Sequence, residues 1–180
     1  IVDVLDQSAR RSDTHGYTPN GGTPAFRQAV ATYYKSRFNV ELNPKTECLA
    51  LLGSKEGLFN LSQVLLNPGD VVLVPDPGYP VYSASGIIAG AEIYYMPLLA
   101  SNNFLPDLET IPADILKRAK LMWLNYPNNP TGAIAPMDFY STAVEFARKH
   151  EIIIAHDAPY ADVCFDGYHA PSMLEIPGAK

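Results

Sequence analysis

Between Leu121 and Tyr160 the sequence holds two short apolar runs, Leu121-Met122-Trp123-Leu124 and Ile152-Ile153-Ile154-Ala155, separated by a polar turn and a helical pattern from Met137 to His150. Unbroken apolar runs do not suit strands with one wet face; they suit strands covered on both faces, as in parallel sheets. The intervening helix carries Phe139, Ala143, Phe146 and Ala147 in one stripe, the face that packs on such a sheet. Strand, helix and strand in this order make a crossover unit. In open α/β sheets, ligands bind in the crevice outside the carboxyl ends of the strands. The turn Asn125-Tyr126-Pro127-Asn128-Asn129-Pro130-Thr131-Gly132 and the strand end His156-Asp157-Ala158-Pro159-Tyr160 therefore aim Asn129, Asp157 and Tyr160 into one crevice. An amide, an acid and a phenol converging there suit a polar aromatic ligand. His156 falls on the opposite side of its strand from Asp157 and is read as structural.

The same alternation extends toward the amino terminus. Cys48-Leu49-Ala50-Leu51-Leu52 reads as a buried strand running into Gly53-Ser54-Lys55-Glu56-Gly57 and a helix with Leu58, Leu61 and Leu65 on one face. A strand, a glycine turn and a helix N-terminus form an anion site, because unpaired backbone N–H groups and the positive dipole end point outward. Ser54 adds a hydroxyl and Lys55 a charge; the plainer alternative is a helix capped by Ser54 with Lys55 solvated. Val71-Val72-Leu73-Val74 is the next strand, ending in Pro75-Asp76-Pro77-Gly78-Tyr79-Pro80-Val81-Tyr82. Prolines at 75, 77 and 80 stiffen this loop, which suits a Tyr79 standing over a ligand, while Tyr82 is read as core filling. A helical segment to about Ala89, a strand at Glu92–Pro97 and a helix broken around Pro112 follow. Upstream, Ile1, Val4, Leu5, Ser8 and Ala9 share one helix face, and the loop from Asp13 to Pro24 carries Tyr17 and Gly21-Gly22 ahead of a helix reaching about Phe38. The expected fold is α/β, a mostly parallel sheet with helices on both faces.

At 180 residues, with 47% hydrophobic and 18% charged residues, the chain can bury a sizeable core. A net charge of −6 argues against nucleic acid or an anionic membrane as partner, and no apolar run approaches membrane-spanning length. Two cysteines, Cys48 and Cys164, make no disulfide framework, so a reducing, cytoplasmic setting is expected. The four histidines lack metal-ligand spacing. No Gly-x-Gly-x-x-Gly follows any strand, which places a nicotinamide dehydrogenase last among the enzyme readings.

Taken together and in this order, these motifs resemble the fold-type I enzymes dependent on pyridoxal phosphate (PLP), in particular the class I and II aminotransferases. The resemblance implies that Asp157 pairs with the protonated ring nitrogen, that Asn129 and Tyr160 donate to the ring's phenolate oxygen, and that Tyr79 stacks on the ring. It implies that Ser54 and Lys55 belong to the phosphate loop. The pattern Tyr-x-Pro-x-Gly-Gly-x-x-x-Phe-Arg beginning at Tyr17 is similar to the segment preceding the large domain, where the tyrosine reaches the cofactor phosphate of a neighbouring subunit, so a homodimer is implied. By the same resemblance, residues 1–40 lead into the large domain and 41–180 form its first part. The Pro-Asp-Pro-Gly-Tyr-Pro wording looks like the branch containing LL-diaminopimelate and related bacterial aminotransferases. The implied activity moves an amino group between an amino acid and a 2-oxo acid. The family's Schiff-base lysine, usually in a Ser-x-x-Lys segment, follows the Asp-x-x-Tyr strand; neither Lys55 nor Lys180 matches it, and the chain is expected to be part of a longer polypeptide. A carbon–sulfur lyase would use the same ring-binding residues, and a transcription regulator can keep such a domain as an effector sensor.

Overall fold

Four strands, β1 (Val71–Asp76), β2 (Glu92–Pro97), β3 (Ala119–Asn125) and β4 (Ile153–Asp157), pair in parallel in the order β2-β1-β3-β4. The computed structural model in which they are seen describes Ile1 to Lys180. The two apolar runs that form β1 and β3 are covered on both faces: Val71–Leu73 and Leu121–Leu124 are at most 1% exposed. Side chains alternate as a pleated strand requires. Val71, Leu73, Met122 and Leu124 face one core cluster; Val72, Val74, Leu121 and Trp123 face another. Each fully buried valine or leucine is worth about 1.5–3 kcal/mol, so these two strands anchor the domain.

Helices cover both faces. On the first, α6 (Met137–His150) buries Tyr140, Ala143, Val144 and Ala147. The buried stripe is centred slightly differently from the expected one, with Phe139 and Phe146 at its border, because Tyr140 carries a hydroxyl that finds a partner inside. The helix has Asp138 in its first turn and Arg148, Lys149 and His150 in its last, in keeping with the helix dipole. On the second face lie α3 (Ser54–Leu65) and α4 (Pro80–Ile88), which contribute Leu58, Leu61, Leu65 and Tyr82. Gly86 lets α4 lie close on the sheet: a Cβ there would come within 2.6 Å of Val72 Cγ1 and 2.8 Å of Ile93 Cδ1. A buried pair, Ser62 Oγ and Ser85 Oγ at 2.8 Å, joins α3 to α4, and Gln63 Nε2 donates to the Ser85 carbonyl at 2.9 Å.

The break at Pro112 separates a 3-10 turn, Leu108–Thr110, from the short α5 (Ala113–Leu116). After Tyr160 the chain forms loops and one 3-10 turn, Met173–Glu175, closed by a reciprocal Ser172/Glu175 capping box. The expected strand at 48–52 is not formed. Leu49, Leu51 and Leu52 are exposed, the Ala50 N–H bonds the Gly21 carbonyl, and the Leu52 N–H is taken by Glu56 Oε2. An apolar run becomes a strand only where a neighbouring strand supplies the ladder, and here loop and side-chain acceptors take its place.

The chain divides into two units, residues 1–51 and 52–180; the sheet belongs to the second. The first holds α1 (Val2–Ala9), a 3-10 turn at Ser12–Thr14 and α2 (Pro24–Phe38). Pro24 occupies the first turn of α2, and the Thr23 hydroxyl caps it by accepting from the Phe26 N–H at 3.2 Å. Tyr33, Tyr34 and Phe38 meet edge to face or tilted at 5.2–5.9 Å. The apolar face read on α1 is present, but no residue of that helix is buried.

Candidate functional site

The strand order reverses between β1 and β3: from β1 the chain goes to β2 on one side, then returns to β3 on the other. The carboxyl ends flanking such a reversal leave a crevice. A cavity of about 190 Å³ lies there, lined by Tyr79 from the loop after β1, Asn125 and Asn129 at the end of β3, and Asp157, Pro159 and Tyr160 at the end of β4. Ser54 from α3 and Tyr82 from α4 complete the wall.

The β3–β4 register places Asn125 beside Asp157. Asn125, 2% exposed, spends its side chain on holding the crevice open. Its Nδ2 donates to the Asp157 carbonyl at 2.8 Å and its Oδ1 accepts the Asn129 N–H at 2.8 Å. Asn128 locks the turn from inside: Nδ2 donates to the Asn125 carbonyl at 3.2 Å, and Oδ1 accepts from Thr131 N at 3.2 Å and Thr131 Oγ1 at 2.7 Å. The turn is thus fixed by its own polar groups, and Asn129 is delivered with its backbone anchored. The peptide bonds preceding Pro77, Pro127 and Pro130 are cis.

The Asp157 carboxyl is partly buried, which raises its pKa, and one hydrogen bond opposes that shift: the Tyr82 hydroxyl donates to Oδ2 at 2.7 Å. Burial, then the bond to Asp157, drives the Tyr82 hydroxyl far above the ordinary phenol range. The Tyr82 ring stacks on Trp123, centroids 5.0 Å apart and planes 17° apart. Tyr79 meets Tyr82 edge-on at 6.0 Å, and Lys55 Nζ stands 5.2 Å over the Tyr79 ring, a cation–π contact.

At the start of α3, Gly53 is the N-cap with φ +84, a conformation that side chains other than glycine's strain to adopt. Ser54 is therefore the first helical residue and not the cap, contrary to the plainer expectation. No side chain caps this terminus, so its first-turn N–H groups, together with the Ser54 hydroxyl, present an anion-binding end.

Across the strand from Asp157, His156 lies on the α6 face. Its Nε2 is 3.1 Å from the Tyr140 hydroxyl, and the two rings meet at 5.1 Å. Burial pushes the imidazole pKa down to about 4, against a smaller upward pull from a hydrogen bond with the Tyr126 backbone. It is neutral at physiological pH and does not face the cavity.

Of the residues singled out from the sequence, Ser54, Tyr79, Asn129, Asp157 and Tyr160 line one cavity. Lys55 is next to it but reaches over Tyr79. Tyr17 belongs to the 1–51 unit and is fully exposed. The cavity also takes in Asn125 and Tyr82, which the sequence pattern does not mark as site residues. Tyr82 is core, yet its hydroxyl reaches Asp157; its i,i+3 spacing from Tyr79 across a helix start is the available signal. A second, mostly apolar cavity of about 590 Å³ shares Asn129 and Tyr160 and extends over Ile134, Val163 and Phe165. No group of three or more histidine, cysteine or acidic side chains could hold a metal ion, and no helix is long and apolar enough to cross a membrane.

The sequence profile described as "Aminotransferase class I and II" matches residues 2–178. The LL-diaminopimelate aminotransferase of Moorella thermoacetica is 51% identical over 180 residues, which is all of this chain and 46% of that protein. The substrate-bound BacF structure from Bacillus subtilis superposes with a TM-score of 0.94 at 45% identity, over 99% of this chain and 45% of that one. A probable N-succinyldiaminopimelate aminotransferase from Thermus thermophilus gives a TM-score of 0.91 at 38% identity, over 99% and 48%. The chain thus spans about half the length of the relatives it matches.

Proposed function

From the premise that this chain belongs to the class I and class II aminotransferase family, we propose that it carries the ring-binding and phosphate-binding half of a PLP site in an enzyme that moves an amino group between an amino acid and a 2-oxo acid. The observation that carries this reading is the convergence of Ser54, Tyr79, Asn129, Asp157 and Tyr160 on one cavity at the sheet's reversal point. The family is PLP-dependent in general, and the donor set fits that cofactor group by group. A carboxylate, Asp157, lines the cavity and would accept from a protonated ring nitrogen. An amide and a phenol, Asn129 and Tyr160, can donate to a phenolate oxygen. Tyr79 offers an aromatic face. The Ser54 hydroxyl and the N-terminus of α3 suit a phosphate.

When bound, PLP supplies an electron-withdrawing ring that stabilises negative charge on the substrate carbon. The work of this chain is to make that possible. Asp157 would keep the ring nitrogen protonated by pairing charge with charge. Asn129 and Tyr160 would donate to the ring's phenolate oxygen and so orient the ring, and the Tyr79 ring would pack against it and exclude water. Lys55, over the Tyr79 ring, would steady Tyr79 and add positive charge to the phosphate loop. In this reading Tyr17 serves the phosphate of a second subunit in a homodimer, and residues 41–180 form the first part of the large domain, with 1–40 leading into it. The 51% identical relative is named for LL-diaminopimelate, so that diamino acid is the amino donor to test first.

The test is an absorbance titration of the protein with PLP, paired with an LL-diaminopimelate/2-oxoglutarate transamination assay of the full-length polypeptide carrying this chain. Asp157→Asn is expected to weaken PLP binding at least 10-fold and to lower turnover about 10²–10³-fold, the usual scale for a positioned electrostatic partner. Wild-type affinity and turnover in that variant would refute the assignment of Asp157.

A further inference from the structure

Asn125 is occupied with backbone partners, and the Tyr82 hydroxyl is the other polar group at the cavity to which the family reading assigns no task. Tyr82 is wholly buried, a setting in which phenylalanine would pack equally well and leave no hydroxyl to satisfy. Its ring is pinned by Trp123, at 5.0 Å. Its carbonyl accepts from Ser85 Oγ at 3.2 Å, and that hydroxyl meets Ser62 of α3 at 2.8 Å. The phenol is therefore held in place from two helices and a strand, with its O–H ending 2.7 Å from Asp157 Oδ2.

Building on the PLP reading of the site, we propose that Tyr82 is a positioning residue acting through Asp157: its hydroxyl holds the carboxylate in one rotamer and in the charged state, leaving Oδ1 for the ring N–H of the cofactor.

The physical need is specific. The end of β4 is partly desolvated, which favours the neutral acid, and a neutral acid does not pair with a pyridinium. Tyr82 opposes this because its own ionisation is suppressed, so it only donates, and a bond from a neutral phenol to a carboxylate is charge-assisted. The other titratable groups nearby do not take its place. Tyr79 comes from the loop after β1 and meets the Tyr82 ring edge-on; Tyr160 lies beyond the end of β4; Lys55, from α3, stands over the Tyr79 ring. His156 is turned to the opposite face toward Tyr140. The hydrogen bond to the carboxylate oxygen comes from Tyr82.

The experiment is a double-mutant cycle of Tyr82→Phe and Asp157→Asn, read two ways. The Asp157 carboxyl is titrated by ¹³C NMR in the cofactor-free protein, and PLP itself is titrated by absorbance at pH 7.5. Tyr82→Phe is expected to raise the Asp157 midpoint by about one pH unit or more and to weaken PLP binding about 10-fold, the scale of a lost hydrogen bond to a charged group. In the Asp157→Asn background the same substitution should change PLP affinity less than 2-fold, since no charge remains to be held. Incorporation of 3-fluorotyrosine at position 82, which keeps the shape and strengthens the donor, should move the midpoint down, and it decides the matter even if Tyr82→Phe folds poorly. An unchanged Asp157 midpoint in Tyr82→Phe overturns the proposal. Equal losses of PLP affinity in the parent and in the Asp157→Asn background overturn it too, and would mark Tyr82 as packing alone. Wild-type protein that takes up no PLP overturns the reading of the site instead, and the carboxyl titration still decides whether Tyr82 governs Asp157.

Discussion

His156 makes the stability of this fold depend on pH in a direction set by its surroundings. The imidazole is desolvated between β4 and α6, with Nε2 on the Tyr140 hydroxyl, and its pKa falls from an ordinary 6.5 to about 4. The folded state therefore binds the His156 proton less readily than the unfolded chain does. Above pH 6.5 both states are unprotonated and the full contribution of the neutral imidazole is present. As pH falls from 6.5 to 4 the unfolded chain takes up the proton first, and stability declines; below about 4 both states are protonated and the loss is complete. At about 1.4 kcal/mol per pH unit, the loss over this window is about 3 kcal/mol. Urea denaturation at half-unit steps from pH 7.5 to 4 reads it directly, with His156→Gln as reference so that the carboxylates common to both proteins cancel. The Gln variant is expected to be less stable at pH 7.5, where it forfeits the fitted ring, and to approach the parent as pH falls. Asp157, whose folded pKa is raised, contributes the opposite slope in both proteins and drops out of the difference. Parallel curves for the two proteins across the window would refute the assignment of a buried, neutral His156.

Two further predictions concern the packing that carries α4 to the site. Gly86→Ala gains up to about 1 kcal/mol of helix propensity but drives a methyl into Val72 Cγ1 and Ile93 Cδ1. Overpacking costs about 1–3 kcal/mol and Val72 is fully buried on a central strand, so the net effect is destabilising by about 1 kcal/mol, a melting temperature lower by about 2–4 °C by calorimetry. Ser85→Ala strands the buried Ser62 hydroxyl and is expected to cost about 1–3 kcal/mol in urea denaturation. The Ser62→Ala/Ser85→Ala double variant should lose less than the sum of the two singles, and strict additivity would contradict the pairing.

The strands that carry the fold were legible because burial on both faces demands unbroken apolar runs, and Val71–Val74 and Leu121–Leu124 have no other good use. The run at 48–52 has the same wording and no strand results. Its backbone groups meet a loop carbonyl and a glutamate, and which partner a backbone meets is decided by chain segments far away in sequence. The helix of 137–150 was legible in extent, but the buried side of Tyr140 followed from His156, across the sheet interface. At the site, Asn129, Asp157 and Tyr160 were legible because strand ends and turns impose their own chemistry locally. Asn125 and Tyr82 were not, since what sets them apart is a partner and not a type: Asn125 is defined by the β3–β4 register, and Tyr82 by a carboxylate 75 residues away.

By itself, then, the sequence determined the periodicities, the parallel sheet and the polar residues at three strand ends, all of them consequences of local geometry and of the free energy of burying apolar surface. Only the tertiary structure decided which tyrosine holds the aspartate, why the neighbouring histidine is neutral, and that Lys55 reaches over Tyr79. Charge and hydrogen bonding in a desolvated crevice depend on distances of a few ångströms between residues that lie far apart along the chain.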